Sequence, residues 1–233
     1  MFAGRLTIHV APCAPLRALI FSASCAVTYR TMEKIWLTNK ITGVLKQRDP
    51  VFRRVVVTEI LSIINDMKRR FSRGANRAEA LHKVQDEKTT EAITKHLMIL
   101  SCKAGCNNCC HQPVILSNDE MDLIESKVDL STLDKIKMEK QRDFTEDDWK
   151  HRPKSETACV FLKDNACSIY DVRPATCRAC VYTGDPEHCL PSVGKSSIIM
   201  EAEVVASATN NISEPDLIPV KILKRLMSKS ESL

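Results

Sequence analysis

Two tight groups of cysteine are the residues of this chain best suited to do chemistry. The first is Cys102, Cys106, Cys109 and Cys110, spelled C-x3-C-x2-C-C. The second is Cys159, Cys167, Cys177 and Cys180, spelled C-x7-C-x9-C-x2-C, and Cys189 follows closely. Thiolates two and three residues apart can converge on one metal ion, because a tight turn brings their sulfurs together. The pattern therefore points to metal ligation. Eight thiolates can build two tetrahedral four-thiolate sites, or one site with spare thiols. Zinc and iron–sulfur clusters use the same ligand type, so the residues leave zinc and iron both open.

Within the first group, Cys102, Cys106 and Cys109 are spaced so that a loop at a helix end can turn all three inward, with Gly105 permitting close backbone approach. Adjacent side chains tend to diverge, so Cys109 and Cys110 are expected to face different metals or opposite sides of one site. His111 and His188 each flank a cysteine, and either could replace a thiolate or simply be hydrogen-bonded or exposed. Lys103, Arg173 and Arg178 lie beside or near the candidate ligands. For the two arginines the tight turn favours a role next to the sulfurs, neutralising a thiolate-rich site. Cys189 is a ninth ligand, a redox thiol or a spare.

Competing chemistries fit less well. A disulfide framework conflicts with the odd cysteine count, the absence of a convincing secretory signal and the adjacent Cys109–Cys110 pair. The spelling C-x3-C-x2-C also occurs in radical-SAM cluster loops, but the strand–helix alternation of such a barrel is missing. There is no Gly-rich phosphate loop and no His-Glu-x-x-His motif. Clustered cysteines bind metals more often than they act as nucleophiles.

The elements that must position these residues read mostly as helices. Asp49–Arg73 is the clearest, with Asp49 as cap, Pro50 in the first turn and Phe52, Val56, Ile60, Ile63, Met67 and Phe71 at intervals of three and four. Its basic end, Lys68, Arg69, Arg70 and Arg73, precedes Gly74 as a stop. A second helix spans Asn76–Leu100, with Ala80, Val84, Ile93, Leu97 and Leu100 as its apolar positions. Pro113–Leu116 is a short apolar stretch, and Ser117-x-x-Glu120 is a capping box opening a helix to about Lys127. Another helix is expected over Ser131–Asp143, with Leu133, Ile136 and Met138 inward, followed by an acidic loop at Glu146, Asp147 and Asp148. Ala158–Leu162 and Ala166–Tyr170 read as a hairpin turning at Lys163, Asp164 and Asn165, with Cys159 and Cys167 on its two arms. Pro174 is a rigid start for a turn or short helix through Cys180. Ser196–Ala206 and Asp216–Met227 close the chain as helices.

The 233 residues are 44% hydrophobic, 27% charged and 5% aromatic, with 6 glycines. That composition favours a helix-rich protein over a barrel or sandwich. The expected fold class is mostly α with a small β-hairpin, a helical shell around a cysteine-rich metal-binding core. The expected division is 1–31 as a mis-extended start or targeting-like segment, 32–95 as a helical N-terminal region and 96–233 as the cysteine domain, with its core motifs over 102–189. Residues 1–32 lack Asp and Glu, and a true start at Met32 is favoured, which would make Cys13 and Cys25 irrelevant. A net charge of +5 is too mild to imply nucleic acid by itself. No apolar run is long enough to span a bilayer. A cytoplasmic location is expected, with a metal ion as partner and a protein partner conceivable through the basic helix 49–73.

Taken together, the two groups resemble the YkgJ-type cysteine-cluster family, a zinc- or iron-chelating domain of CxxCxxCC type. The likeness rests on Cys102-Lys-Ala-Gly-Cys106-Asn-Asn-Cys109-Cys110 and on Cys159 through Cys167-Ser-Ile-Tyr170-Asp-Val-Arg173-Pro174-Ala-Thr-Cys177-Arg178. The helix opening Leu116-Ser117-x-x-Glu120 also fits, and the whole spans about residues 100–190. The resemblance implies a metal-chelating domain. One relative is the flagellin lysine N-methylase, so an iron–sulfur-dependent enzyme of lysine-methylase type and a metal-stabilised interaction module are the alternatives. Asn107 stands where the family has Gly; Asn tolerates left-handed backbone angles, so the turn is expected to survive. Tyr170 either packs over the site or serves strand packing.

Overall fold

The apolar period that begins at Pro50 becomes a 21-residue helix, α1 (Pro50–Arg70), which buries Val56, Val57, Ile60, Ile64 and Met67. Spacings of three and four put these side chains on one face. The basic end is partly neutralised in place, since Arg69 and Arg70 both pair with Asp66. The chain divides into two units, Met1–Lys34 and Ile35–Leu233. The computed structural model describes residues 42, 45, 46, 48, 50–96, 98, 100, 102, 105–182 and 199–231. The expectations for the Met32 start, Asp49, Leu97, Lys103, His188 and Cys189 lie outside the described residues.

Eight further helices follow among the described residues: α2 (Ala75–Lys95), α3 (Asn118–Glu125), α4 (Lys135–Arg142), α5 (Glu146–His151), α6 (Lys154–Thr157), α7 (Ala175–Ala179), α8 (Met200–Ile212) and α9 (Ile218–Ser230). The fold is thus mostly helical, as the composition implies. Two antiparallel two-stranded sheets complete it. The hairpin β2–β3 (Leu162–Lys163 and Ala166–Cys167) pairs Leu162 with Cys167 and Lys163 with Ala166. Its turn is Asp164–Asn165, both left-handed at φ 49° and 59°, which Asp and Asn accept more readily than other side chains. The other sheet joins β1 (Ile115–Leu116) to β4 (Asp216–Leu217). Sequence pattern gave no sign of it, because two-residue strands have no readable period.

Several boundaries differ from the sequence-based expectation for local reasons. Glu146–Asp148 is the first turn of α5 rather than a loop, because Thr145 and Asp148 form a reciprocal capping box. The helix expected from Ser131 begins at Lys135, capped by the Asp134 side chain. Ile136 is therefore exposed, while Met138 and the preceding Leu133 are buried. The hairpin is shorter than expected, so Cys167 is on a strand but Cys159 lies ahead of it.

α2 departs most. Its buried face carries Arg77, Ala78, Leu81, His82, Gln85, Thr89 and Ala92. Ala80, Val84 and Ile93 are only half-buried, and Leu100 is exposed. The helix packs on α3 and α8 with polar side chains inward, because those neighbours present carbonyls and carboxylates to it.

Three apolar clusters hold the unit together. One joins Leu45 and α1 to Leu81, Val204, Val205, Ala208 and Ile212. A second is built of Ile199 with Ala92, Ala175, Ala179, Ala202 and Ala206, the alanines being small enough to let α2, α7 and α8 approach closely. The third gathers Leu116, Met121, Ile124, Met138, Phe161, Ile169, Ile218 and Ile222, with Cys159, Cys167 and Cys177 packed against its edge. Fully burying one such large side chain is worth about 1.5–3 kcal/mol.

Candidate metal centre

The first cysteine group sits on a loop that leaves α2 and ends in a 3-10 turn, Asn108–His111. Gly105 takes φ +81°, with open space where a Cβ would stand. Glycine is favoured there by backbone angle, not crowding. Asn107 lies at φ −119° and accepts from the Cys110 N–H at 2.8 Å. Its replacement of glycine therefore calls for no left-handed tolerance at all.

The second group is delivered from three places: Cys159 ahead of the hairpin, Cys167 on β3, and Cys177 and Cys180 on and just after α7. Cross-links hold the two groups together. The Cys159 N–H donates to the Cys110 carbonyl at 2.7 Å, and the Asn107 amide donates to Asn165 in the hairpin turn at 3.0 Å. The Cys102 thiol lies 3.8 Å from the Cys180 carbonyl.

The sulfurs consequently mix across the two groups. The Cys110 thiol meets both Cys109 and Cys167, and these hydrogen bonds raise its own pKa while lowering those of Cys109 and Cys167. The Arg173 charge lowers both of the latter further. Adjacent Cys109 and Cys110 thus converge instead of diverging, since side-chain rotation on a 3-10 turn lets neighbouring thiols meet. Burial pushes the Cys159 thiol up to about 11, with the charges of Cys167 and Cys109 adding to it. Burial raises Cys177 well above the ordinary thiol range, and Cys109, Cys180, Cys159 and Cys167 reinforce the shift. Cys109, Cys110, Cys159, Cys167 and Cys177 therefore lie within mutual electrostatic reach, and Cys180 is next to Cys177. Cys102 is exposed and Cys106 half-buried. All eight are free thiols.

The flanking residues separate in role. Arg173 stacks on the exposed Tyr170 ring, 3.9 Å from its centroid, and donates to the Tyr170 carbonyl at 2.8 Å. Tyr170 therefore holds Arg173 beside the sulfurs. Arg178 is buried and turned to structural use: it donates to Asp86 at 2.6 Å, to the Arg173 carbonyl at 3.1 Å and to the Asp171 carbonyl. His111 is buried with Nδ1 3.4 Å from the Thr157 hydroxyl, and burial together with Lys154 lowers its pKa.

Glu120 links the site to the helices. It has no exposed surface, closes the predicted capping box with Ser117, and accepts from the Ala175 N–H at 2.7 Å. His82 Nε2 lies 3.1 Å from the same oxygen. Sequence reasoning found Glu120 only as a cap. It missed His82, Gln85 and Asp86, whose sole trace is a polar interruption of the apolar period in α2.

Among the described residues, no group of three or more His, Cys, Asp or Glu side chains is arranged to hold a metal ion. The donor chemistry fits a thiophilic metal nonetheless, because sulfurs from separate segments crowd together beside a fixed guanidinium. Residues 101–202 match the family model CxxCxxCC, described as a "putative zinc- or iron-chelating domain". All eight clustered cysteines fall inside the match, as does the Ser117–Glu120 capping box, whereas α1, α2 and α9 fall outside it. No curated protein and no solved structure matches the chain.

Proposed function

We propose that this protein binds zinc or iron through its clustered cysteines. Cys109, Cys110, Cys159, Cys167 and Cys177 form the nucleus of the site, and Cys102, Cys106 and Cys180 are the remaining candidate thiolates. The observation that carries this reading is that the two halves of the cysteine pattern meet: the Cys159 N–H donates to the Cys110 carbonyl at 2.7 Å, the Cys102 thiol lies 3.8 Å from the Cys180 carbonyl, and Cys159, Cys167 and Cys177 pack against one cluster. Thiols gathered in this way bind a cation as thiolates, the form that ligates metal. A bound ion would let the thiols shed protons and would tie loop, hairpin and α7 together, so that binding energy becomes folding energy.

In that role the Arg173 guanidinium, held by Tyr170, would offset negative charge on the thiolates. Free thiols on this scale suit a reducing compartment, which supports a cytoplasmic location. Among the described residues no helix is long and apolar enough to cross a membrane.

Elemental analysis with an absorption spectrum on anaerobically purified protein tests the proposal. Stoichiometric zinc without visible colour supports closed thiolate coordination and a structural or regulatory role. Iron with matching sulfide and a brown chromophore supports an iron–sulfur cluster and brings redox or methyl-transfer chemistry forward. Protein that carries neither metal and takes up neither when supplied refutes it.

A further inference from the structure

The five-residue helix α7 carries Cys177, yet it is too short to hold its own position; isolated helices of that length do not persist in water. Three ties fix it, and each reaches α2 directly or through one other side chain. The Gln85 amide donates to the Ala175 carbonyl at 2.9 Å and to the Ala202 carbonyl at 3.0 Å, joining α7 to α8. His82 meets Glu120, which accepts from the Ala175 N–H at 2.7 Å. Asp86 accepts from Arg178 at 2.6 Å, and Arg178 also binds the backbone of residues 171 and 173. Positions 82, 85 and 86 lie on one side of α2, as spacings of three and four require.

Two features mark this as more than packing. Gln85 is fully buried with both donors used and its Oε1 unpartnered. A purely apolar contact would avoid that cost. In addition, Arg178 grips the Arg173 carbonyl, and Arg173 lies on the loop between Cys167 and Cys177, held against Tyr170. The clamp therefore reaches the sulfurs from two directions, through Cys177 on α7 and through Arg173 on the loop before it.

We propose that α2, which precedes the matched span 101–202, is an integral part of the metal centre: His82, Gln85 and Asp86 are positioning residues that hold α7 and the Arg173 loop in register with the remaining cysteines. This rests on the reading of the cysteine cluster as a zinc or iron site. The residues act through α7 and the loop before it. The CxxCxxCC segment cut out alone would accordingly lack the support that aligns Cys177.

The test uses the full chain loaded with Zn²⁺ or Co²⁺. Zinc affinity is read by competition with a chelator, and thiolate geometry by the Co²⁺ absorption bands. Gln85→Leu removes both donors at similar volume, and Asp86→Asn removes the charge facing Arg178 at a side chain 55% exposed. Both variants are expected to bind at wild-type stoichiometry, with zinc affinity lowered on the order of 10–100-fold and altered Co²⁺ bands. Asp86→Glu is expected to recover most of the loss. Ile60→Val, in the α1–α8 cluster away from α7, lowers stability and is expected to leave affinity and spectrum unchanged.

Wild-type binding together with an Asp86→Asn variant identical to it in affinity and spectrum overturns the clamp alone. An equal loss of affinity in Ile60→Val also overturns it, because the effect would then be general destabilisation. If Gln85→Leu does not fold, Asp86→Asn decides the matter by itself. A wild-type chain that takes up neither ion overturns the metal reading, and this inference with it.

Discussion

Replacing Glu120 with Ala removes one carboxylate that serves three elements at once. Its oxygens accept from the Ser117 N–H at 2.8 Å, the Ser117 hydroxyl at 3.1 Å and the Ala175 N–H at 2.7 Å, and they face His82 Nε2 at 3.1 Å. Glu120 and Ser117 have no exposed surface and His82 is 4% exposed, so water cannot readily replace the lost partner. Each buried donor left alone costs about 1–3 kcal/mol. With the Ser117 and Ala175 donors and His82 all losing their acceptor, the cost is about 3–5 kcal/mol in total.

We expect Glu120→Ala to lose about 3–5 kcal/mol, a large share of the ~5–15 kcal/mol typical of a folded domain. With a urea slope of about 2–3 kcal/mol per molar, the midpoint falls by roughly 1–2.5 M. Glu120→Gln keeps one acceptor oxygen and is expected to fall between this variant and wild type. Burial raises the Glu120 pKa, but His82 and the N–H groups of Ala175 and Ser117 outweigh it and hold the value below the ordinary range. The stability it contributes is therefore complete above the unfolded carboxylate value of about 4.3 and is lost as pH falls through the lower folded value. Urea titrations at neutral pH, followed by circular dichroism, measure the effect. A Glu120→Ala variant within about 0.5 kcal/mol of wild type, the range of an ordinary surface change, would refute the argument that this carboxylate braces α7.

Other outcomes follow from the same geometry. Phe161→Ala, at a side chain 1% exposed beside the cysteines, is expected to cost about 3–5 kcal/mol in thermal or urea unfolding. Cys177→Ser should abolish or sharply reduce metal content and lower the melting temperature, and Cys106→Ser should also reduce metal; elemental analysis of each purified variant decides. Asn165→Val forces a β-branched residue to φ 59° and is expected to lose about 1–2 kcal/mol, whereas Asn165→Gly should stay near wild type apart from the lost Asn107 hydrogen bond. Asp148, held at about 2 by Thr145 first and then by Arg152, should keep its charge down to strongly acidic pH in carbon-detected NMR titration, and Thr145→Ala should return it towards the ordinary aspartate value.

Much of this protein was legible one residue at a time. The spacing of eight cysteines marks the candidate donors, because sulfurs two or three positions apart on a turn can converge without help from the rest of the fold. The Ser117–Glu120 capping box, the Asp164–Asn165 turn, Pro174 at the start of α7 and the apolar period of α1 could all be read because each is a local energetic preference written within a few positions. What the sequence could not reveal was how the segments meet. The mixing of Cys109 and Cys110 with Cys159, Cys167 and Cys177 depends on hydrogen bonds between residues about 50 positions apart, such as Cys159 to Cys110. The pairing of β1 with β4 joins positions about 100 apart. The buried polar face of α2 was hidden for a related reason. His82 and Gln85 are unfavourable inside a core until Glu120, Ala175 and Ala202 supply their partners, and those partners arrive only with the tertiary structure.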